Sequence, residues 1–193
     1  AETGETEKMS KSLNNFLLLH EVLEQVRPAA LRMLMLQSHY RSPLVFGEQR
    51  IAEADAALTR IENAVKALDW LLETGTPRGE AALEPETPAA ALAATLDAAA
   101  LTERVAVLRA GFTEAMDDDF NAPAALGEIF SFVSDANALV ADAKTLAAEE
   151  AAAAREARDA IVELMDVLGI DVTAAEVGEA YPVEVVALAA DLA

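Results

Sequence analysis

The strongest constraint on the fold is a run of apolar residues that recur alternately three and four positions apart: Ile51, Ala54, Leu58, Ile61, Val65, Leu68 and Leu72. Residues with this spacing lie on one face of an α-helix, and a regular repeat of this kind forms a coiled-coil-like seam. The pattern predicts a long amphipathic helix over residues 48–74. Trp70 falls away from the seam, and we expect its indole to pack beneath a neighbouring loop.

The composition extends the helical prediction to the whole chain. Ala and Leu, which favour helices, are abundant, whereas aromatic residues are limited to six Phe, two Tyr and one Trp. Breaks at Gly and Pro and candidate caps such as Asn121 delimit a short helix ending near Val26 and further helices over 28–38, 88–98, 100–116, 122–147 and 148–168. We predict an all-α fold in which four or five antiparallel helices after residue 47 form a bundle.

Apolar stripes on several of these helices define the predicted core. We expect Met33 and Met35 to fill gaps in it. The other predicted core positions are Leu31, Leu34, Leu101, Val105, Leu108, Phe112, Met116, Leu126, Ile129, Phe130, Val133, Val140, Ile161, Leu164, Met165 and Leu168.

The negative charge is concentrated in the later part of the chain. Of the net charge of −20, little lies in residues 1–72, with eight Lys/Arg against ten Asp/Glu, whereas residues 73–193 hold six against 24. Because phosphate groups are repelled by acidic surfaces, we expect nucleic-acid contacts in the first third, and we take the remaining acidity as solubilising. The chain has no Cys, no membrane-length apolar run and no signal-peptide pattern, which fits a cytoplasmic protein without membrane contact.

Residues 8–12 form the one motif with a specific chemistry, the pentapeptide Lys8-Met-Ser-Lys-Ser12. This string is the signature of the mobile ATP loop of class I aminoacyl-tRNA synthetases. When an amino acid attacks the α-phosphate of ATP, two lysine ammonium groups on a flexible loop can neutralise the developing charge. Ser10 and Ser12 can satisfy backbone groups and help to set the loop. The alternative interpretation is a solvated basic loop that matches by accident.

The acidic run Asp117–Asp119 suggests a metal site, but its spacing does not support one. Consecutive helical residues point in different directions, and the alternating ligands of a calcium loop are missing. We interpret the run as a solvated helix end.

Four stretches together resemble the C-terminal half of the bacterial cysteinyl-tRNA synthetase family. They are residues 8–16, 27–32, 38–44 and 115–123, and they have the order and spacing of that family. Residues 29–32, Ala-Ala-Leu-Arg, match the motif that names the DALR anticodon-binding domain. The resemblance covers nearly the whole chain and is weakest over residues 75–98 and 142–193.

The resemblance implies three regions and a function. Residues 1–17 would be the ATP loop at the edge of the catalytic domain, 18–46 a helical, stem-contact-like junction, and 47–193 a truncated DALR-type anticodon-binding bundle. Lys11 would contact ATP, with Lys8 as its partner and Ser10 and Ser12 beside them. The family joins cysteine to tRNA(Cys) with ATP. Its zinc is bound by the family's first half, so we expect no metal here.

The resemblance also implies that the chain is a fragment of a longer, monomeric ligase and is inactive alone. Arg32 and the turn His39-Tyr40-Arg41 match family positions, and for them a structural role and a tRNA contact both remain open. Two other functions are considered. One is the related ligase that joins cysteine to an amino-sugar in mycothiol synthesis. The other is a non-catalytic helical module whose 51–72 seam pairs with a partner.

Overall fold

The computed structural model describes residues 18–77, 96–141, 143 and 145–173. Within them lie six α-helices and two very short strands: α1 Leu19–Leu23, α2 Pro28–Leu36, α3 Glu48–Thr74, β1 Thr76–Pro77, α4 Ala98–Asp117, α5 Ala122–Val140, β2 Thr145–Leu146 and α6 Ala148–Val167. The all-α prediction is confirmed, with one two-residue parallel pairing between β1 and β2 added to it. The predicted helix over 88–98 and the end of the chain after residue 173 fall largely or wholly outside the described residues.

The chain divides into two compact units, with the boundary inside α3 after Leu58. The described part of the first unit contains α1, α2 and the beginning of α3. Pro28 occupies the first turn of α2, where the missing N–H of proline removes no hydrogen bond. Within α2, Met33 is fully buried as predicted, whereas Met35 is 59% exposed and was wrongly placed in the core. The two differ because residues two positions apart point to opposite sides of a helix.

The second unit is a helical bundle made from the end of α3 and from α4, α5 and α6. Arg104 near the start of α4 pairs with Asp135 near the end of α5 at 3.4 Å, so these helices run antiparallel. Asn121 caps α5, as predicted, because its Oδ1 accepts a hydrogen bond from the backbone N–H of Ala124 at 3.2 Å. α4 packs against both α5 and α6.

The seam of α3 is buried as predicted, with one change at its end. Ile61, Val65 and Leu68 are at most 1% exposed, but the next buried position is Leu71 rather than Leu72. A straight helix drifts by about 20° per heptad relative to a strict seven-residue repeat, so the buried face shifts along a helix of this length. Trp70 lies on the outer face and is 62% exposed, which contradicts the prediction that a loop covers its indole.

The core of the second unit mostly follows the predicted stripes, although Met116 and Val140 are only half-buried. On α5, Phe132 is buried at 3% exposure, whereas Phe130 is half-buried beneath the guanidinium of Arg60 at 5.8 Å. The buried positions of the three complete helices are Leu101, Val105, Leu108, Phe112, Ala115, Ala125, Leu126, Ile129, Phe132, Val133, Ala136, Ala153, Ala154, Ala157, Ala160, Ile161, Leu164 and Met165. The many alanines allow the α6 backbone to approach its neighbours closely.

Candidate functional site

The predicted ATP-binding residues lie outside the described part of the chain. Lys8, Ser10, Lys11 and Ser12 all precede Leu18, where the description begins. Their assignment therefore stays a prediction. The other three stretches that resemble the synthetase family, residues 27–32, 38–44 and 115–123, are described and provide the geometry below.

Arg27 ties the beginning of α2 to α3 within the first unit. Its Nε and Nη2 lie 2.7 and 2.6 Å from Oδ1 of Asp55, and both side chains are partly shielded from solvent. A charge-assisted contact of this kind is stronger than a hydrogen bond between neutral groups. It fixes the residue that immediately precedes Pro28 and so the place where α2 begins. Arg32, one turn further along α2, is exposed.

The turn that follows α2 carries an ordered cluster of a histidine, a tyrosine and an arginine. The backbone N–H of Ser42 donates to the carbonyl of His39 at 2.8 Å, which closes the turn. The rings of His39 and Tyr40 are stacked with centroids 4.8 Å apart. Nε of Arg41 donates to the Tyr40 hydroxyl at 2.8 Å, and its guanidinium lies 5.3 Å from the Tyr40 ring centroid. Tyr40 is 61% exposed, so this cluster faces solvent.

The stretch 115–123 forms the connection between α4 and α5, and its backbone is unusual. Asp119 and Phe120 have φ angles of 56° and 53°, a left-handed region that residues with side chains seldom adopt. Phe120 is also 70% exposed. The backbone N–H groups of Phe120 and Asn121 donate to the carbonyls of Met116 and Ala115, both at 3.1 Å, so the conformation closes the end of α4.

Ion pairs join the helices of the second unit. Arg109 of α4 meets Glu163 of α6 at 2.7 Å, a hydrogen bond that raises the pKa of Arg109 and lowers that of Glu163. Burial alone would lower the pKa of Arg158, but its hydrogen bonds to Asp159 and Asp69 outweigh burial and raise it. Both arginines therefore stay charged, and these contacts belong to the architecture of the bundle.

The described residues do not assemble a metal centre or a membrane-spanning helix. No group of three or more His, Cys, Asp or Glu side chains among them could hold a metal ion. The described helices are likewise too short or too polar to cross a membrane. The chain also has no Cys to contribute a thiolate ligand.

The two units differ in the charged and aromatic side chains that they present. The second unit presents mostly carboxylates, which disfavour contact with phosphates. The first unit presents the exposed Arg32, the Tyr40–Arg41 pair and the half-buried His39. Arginine and aromatic side chains are the groups with which proteins bind RNA phosphates and bases. These groups of the first unit are chemically suited to contact phosphates and bases.

Sequence reasoning identified the His39–Arg41 turn but not the interlocked geometry of its side chains. The adjacency of an aromatic residue and arginine within a turn bounded by Ser38 and Pro43 was the available signal. The left-handed backbone of Phe120 had no comparable signal, because this conformation is normally expected at Gly or Asn.

Comparison with known proteins places these segments in a family. Residues 3–56 match the model of the class I (C) tRNA synthetase catalytic domain, and residues 111–173 match the DALR domain. Ala29–Arg32 therefore lies in the catalytic-domain match and not in the DALR match. The catalytic-domain match also includes Lys8 and Lys11.

Several curated relatives carry the name cysteine–tRNA ligase. The protein of Trichlorobacter lovleyi is 42% identical over 165 residues, which are 86% of this chain and 31% of the relative. That of Geobacter metallireducens is 39% identical over 86% of this chain and 31% of the relative. That of Caldicellulosiruptor saccharolyticus is 35% identical over 94% of this chain and 34% of the relative. The chain spans about a third of the length of these relatives. By the two matched domains and this similarity over most of its residues, the chain belongs to the cysteine–tRNA ligase family.

Proposed function

We propose that the protein containing this region is a cysteine–tRNA ligase, which activates cysteine with ATP in the cytoplasm and transfers it to tRNA(Cys). One observation carries the proposal: the chain is 42% identical, over 86% of its length, to a protein of that name. The match of residues 3–56 to a class I catalytic domain supports it, because that match spans the pentapeptide with both lysines.

In this proposal the region contributes two functions. Lys11, with Lys8 as its partner, contacts ATP and neutralises charge that develops at the α-phosphate as pyrophosphate leaves, while Ser10 and Ser12 set the loop. The residues after the loop dock the tRNA, with 18–46 as a junction near its stem and 47–193 as the anticodon-binding bundle. The protein acts as a monomer.

The zinc ion of the family is a separate matter. We assign it no ligands in this chain, since the chain contains no Cys and only two His. Selection of cysteine by a metal would therefore be carried out by residues outside this sequence.

The two alternative functions make different predictions. The amino-sugar ligase of mycothiol synthesis would also use the lysine loop, but a DALR domain is a domain for tRNA recognition and favours a tRNA acceptor. A non-catalytic module would need its seam available to a partner. The seam residues Leu58, Ile61 and Val65 are instead at most 1% exposed within one chain.

The proposal is tested by offering the intact protein labelled cysteine, ATP and either tRNA(Cys) or an amino-sugar acceptor. We expect label to appear on the tRNA and not on the sugar. Label on the sugar alone would establish the mycothiol-type ligase in its place. Label on neither acceptor, with an active control ligase run in parallel, would contradict both enzymatic functions.

A further inference from the structure

We propose that the cluster His39–Tyr40–Arg41 binds a backbone phosphate of tRNA, with Arg41 as the contacting residue and Tyr40 as the residue that orients it. This inference rests on the proposed function, because it assumes that the acceptor is tRNA. It assigns one specific contact in a region where a structural role and a tRNA contact had both remained open.

The first argument is the orientation of Arg41. An exposed arginine normally samples many rotamers, and fixing it costs free energy when it binds a ligand. Here Nε of Arg41 donates a hydrogen bond to the Tyr40 hydroxyl at 2.8 Å, and the guanidinium lies 5.3 Å from the centroid of the Tyr40 ring. The planar guanidinium of Arg41 is therefore oriented before a ligand binds. Its Nη groups carry N–H donors whose geometry suits two oxygens of one phosphate.

The second argument is that the residues supporting Tyr40 and Arg41 are themselves held in place. The His39 ring is stacked on Tyr40, and its Nδ1 accepts a hydrogen bond from the backbone N–H of Arg41 at 3.3 Å. The Ser42 N–H closes the turn on the carbonyl of His39. The backbone and both aromatic rings thus define the direction of Arg41, although Tyr40 is 61% exposed. A surface tyrosine held in this way serves better as a support for a ligand-binding group than as core packing.

The third argument is the distribution of charge along the chain. The turn lies in residues 1–72, where positive and negative residues nearly balance, whereas the later residues hold 24 Asp/Glu against six Lys/Arg. A phosphate group is therefore less repelled at this turn than at an average position of the later part. Phosphate could also come from ATP, and the experiment below separates the two sources.

The test uses the intact ligase and three variants of the cluster. We expect Arg41→Gln to raise the KM for tRNA about tenfold and to reduce the slope of log(kcat/KM) against log salt by about one unit, as loss of one phosphate contact requires. Arg41→Lys should keep the salt slope of the wild type, because the positive charge remains. Its KM for tRNA should still be raised, because lysine lacks the planar guanidinium that can donate to two phosphate oxygens. Tyr40→Phe keeps the charge and the ring but removes the orienting hydroxyl. It should raise the KM for tRNA with an unchanged salt slope.

Arg50→Gln is the matched control. Arg50 is another exposed arginine of the first unit, paired with Glu53 at 3.1 Å, and its loss changes the net charge by the same amount. We expect its KM for tRNA to rise several-fold less than that of Arg41→Gln. An equal effect of Arg50→Gln and Arg41→Gln would show a general charge effect and overturn the assignment.

Three further outcomes distinguish the possible failures. If the wild-type ligase charges tRNA(Cys) but Arg41→Gln leaves its KM for tRNA unchanged, the inference fails and the proposed function stands. If Arg41→Gln raises the KM for ATP in pyrophosphate exchange without tRNA, the phosphate belongs to ATP and the tRNA assignment is wrong. If the wild type does not charge tRNA at all, the proposed function itself fails.

Discussion

Arg158 on α6 donates a hydrogen bond from Nε to Oδ1 of Asp69 on α3 at 3.0 Å, and its Nη1 bonds Asp159 on its own helix at 3.1 Å. The contact joins the last part of α3 to the middle of α6. The arginine side chain is 28% exposed and Asp69 is 41% exposed, so the pair is only partly shielded from water. It aligns two helices that are distant in sequence and adds modestly to stability.

We predict a small coupling energy between Arg158 and Asp69. Pairs with this exposure contribute about 0.5 kcal/mol, measured as the non-additivity of Arg158→Ala and Asp69→Ala in a double-mutant cycle of urea unfolding. Arg155→Ala, an exposed arginine one turn earlier, serves as the control and should show no coupling to Asp69→Ala. A coupling above about 2 kcal/mol would mean that the pair is far better shielded than described.

The Arg109–Glu163 pair predicts a specific pH dependence. The hydrogen bond from Arg109 lowers the pKa of Glu163 in the folded state. A carboxylate with a lowered folded pKa stabilises the fold at pH values above its unfolded pKa, and this stabilisation disappears as the pH falls through the folded value. The unfolding free energies of Glu163→Gln and the wild type should therefore differ at neutral pH and converge in acid.

The control for this experiment is Glu103→Gln, which removes an exposed carboxylate from α4. Its difference from the wild type should change less between neutral pH and acid than that of Glu163→Gln. A difference for Glu163→Gln that grows as the pH falls would have the wrong sign and would contradict the assigned pair.

The left-handed backbone at Phe120 predicts that glycine is favoured there over alanine. The left-handed conformation costs a residue with a side chain about 1 kcal/mol or more in conformational free energy, whereas glycine adopts it without this cost. Because the Phe120 side chain is 70% exposed, either substitution removes little packing. Phe120→Gly should be about 1 kcal/mol more stable than Phe120→Ala in chemical unfolding, less the entropy that glycine adds to the unfolded chain. A Phe120→Ala variant that is more stable than Phe120→Gly would show that the φ angle is not positive in solution.

The buried seam of α3 predicts a sharp contrast between two residues that are two positions apart. Leu68 is 1% exposed and Trp70 is 62% exposed. Leu68→Ala should reduce the free energy of unfolding by about 2–5 kcal/mol because it removes buried methyl groups and leaves a cavity. Trp70→Ala should change it by about 0.5 kcal/mol or less, as is usual for exposed positions. The opposite ranking would place the core on the other face of the helix.

The long periodic elements were predictable from the sequence, since a repeat of seven apolar positions specifies both the helix and its buried face. The predicted bounds of α3, residues 48–74, agree with the structure. The helix predicted over 122–147 instead ends at Val140. Residues 141–147 contain three alanines and could continue a helix by propensity, but tertiary contacts decide otherwise.

α5 ends early, at Val140, because the segment that follows it packs against the segment that follows α3. Leu146 of β2 is 6% exposed and pairs in parallel with Pro77 of β1. A side chain at Gly75 would come within 3.1 Å of Cδ1 of Leu146 and 2.5 Å of the Leu71 carbonyl oxygen, so glycine is required where the loops meet. Such a contact between residues about 70 positions apart leaves no periodic signal in the sequence.

The candidate site was predictable to different degrees. The pentapeptide and the DALR-type resemblance rest on residue identity, which the sequence shows directly. The orientation of Arg41 by Tyr40 depends on side-chain rotamers within a turn, and adjacency in the sequence does not determine these. The exposed positions of Met35 and Trp70 were misjudged because both are large and apolar, while neighbouring residues supply the buried face.

The most direct test of the central claim is cysteine-dependent ATP–pyrophosphate exchange by the intact ligase with Lys11→Ala. Lys66, an exposed lysine of α3, provides the matched control Lys66→Ala. We predict that Lys11→Ala lowers the exchange rate by a factor of about 100 or more with unchanged folding by circular dichroism, while Lys66→Ala exchanges at the wild-type rate. An exchange rate for Lys11→Ala equal to that of the wild type would contradict the account.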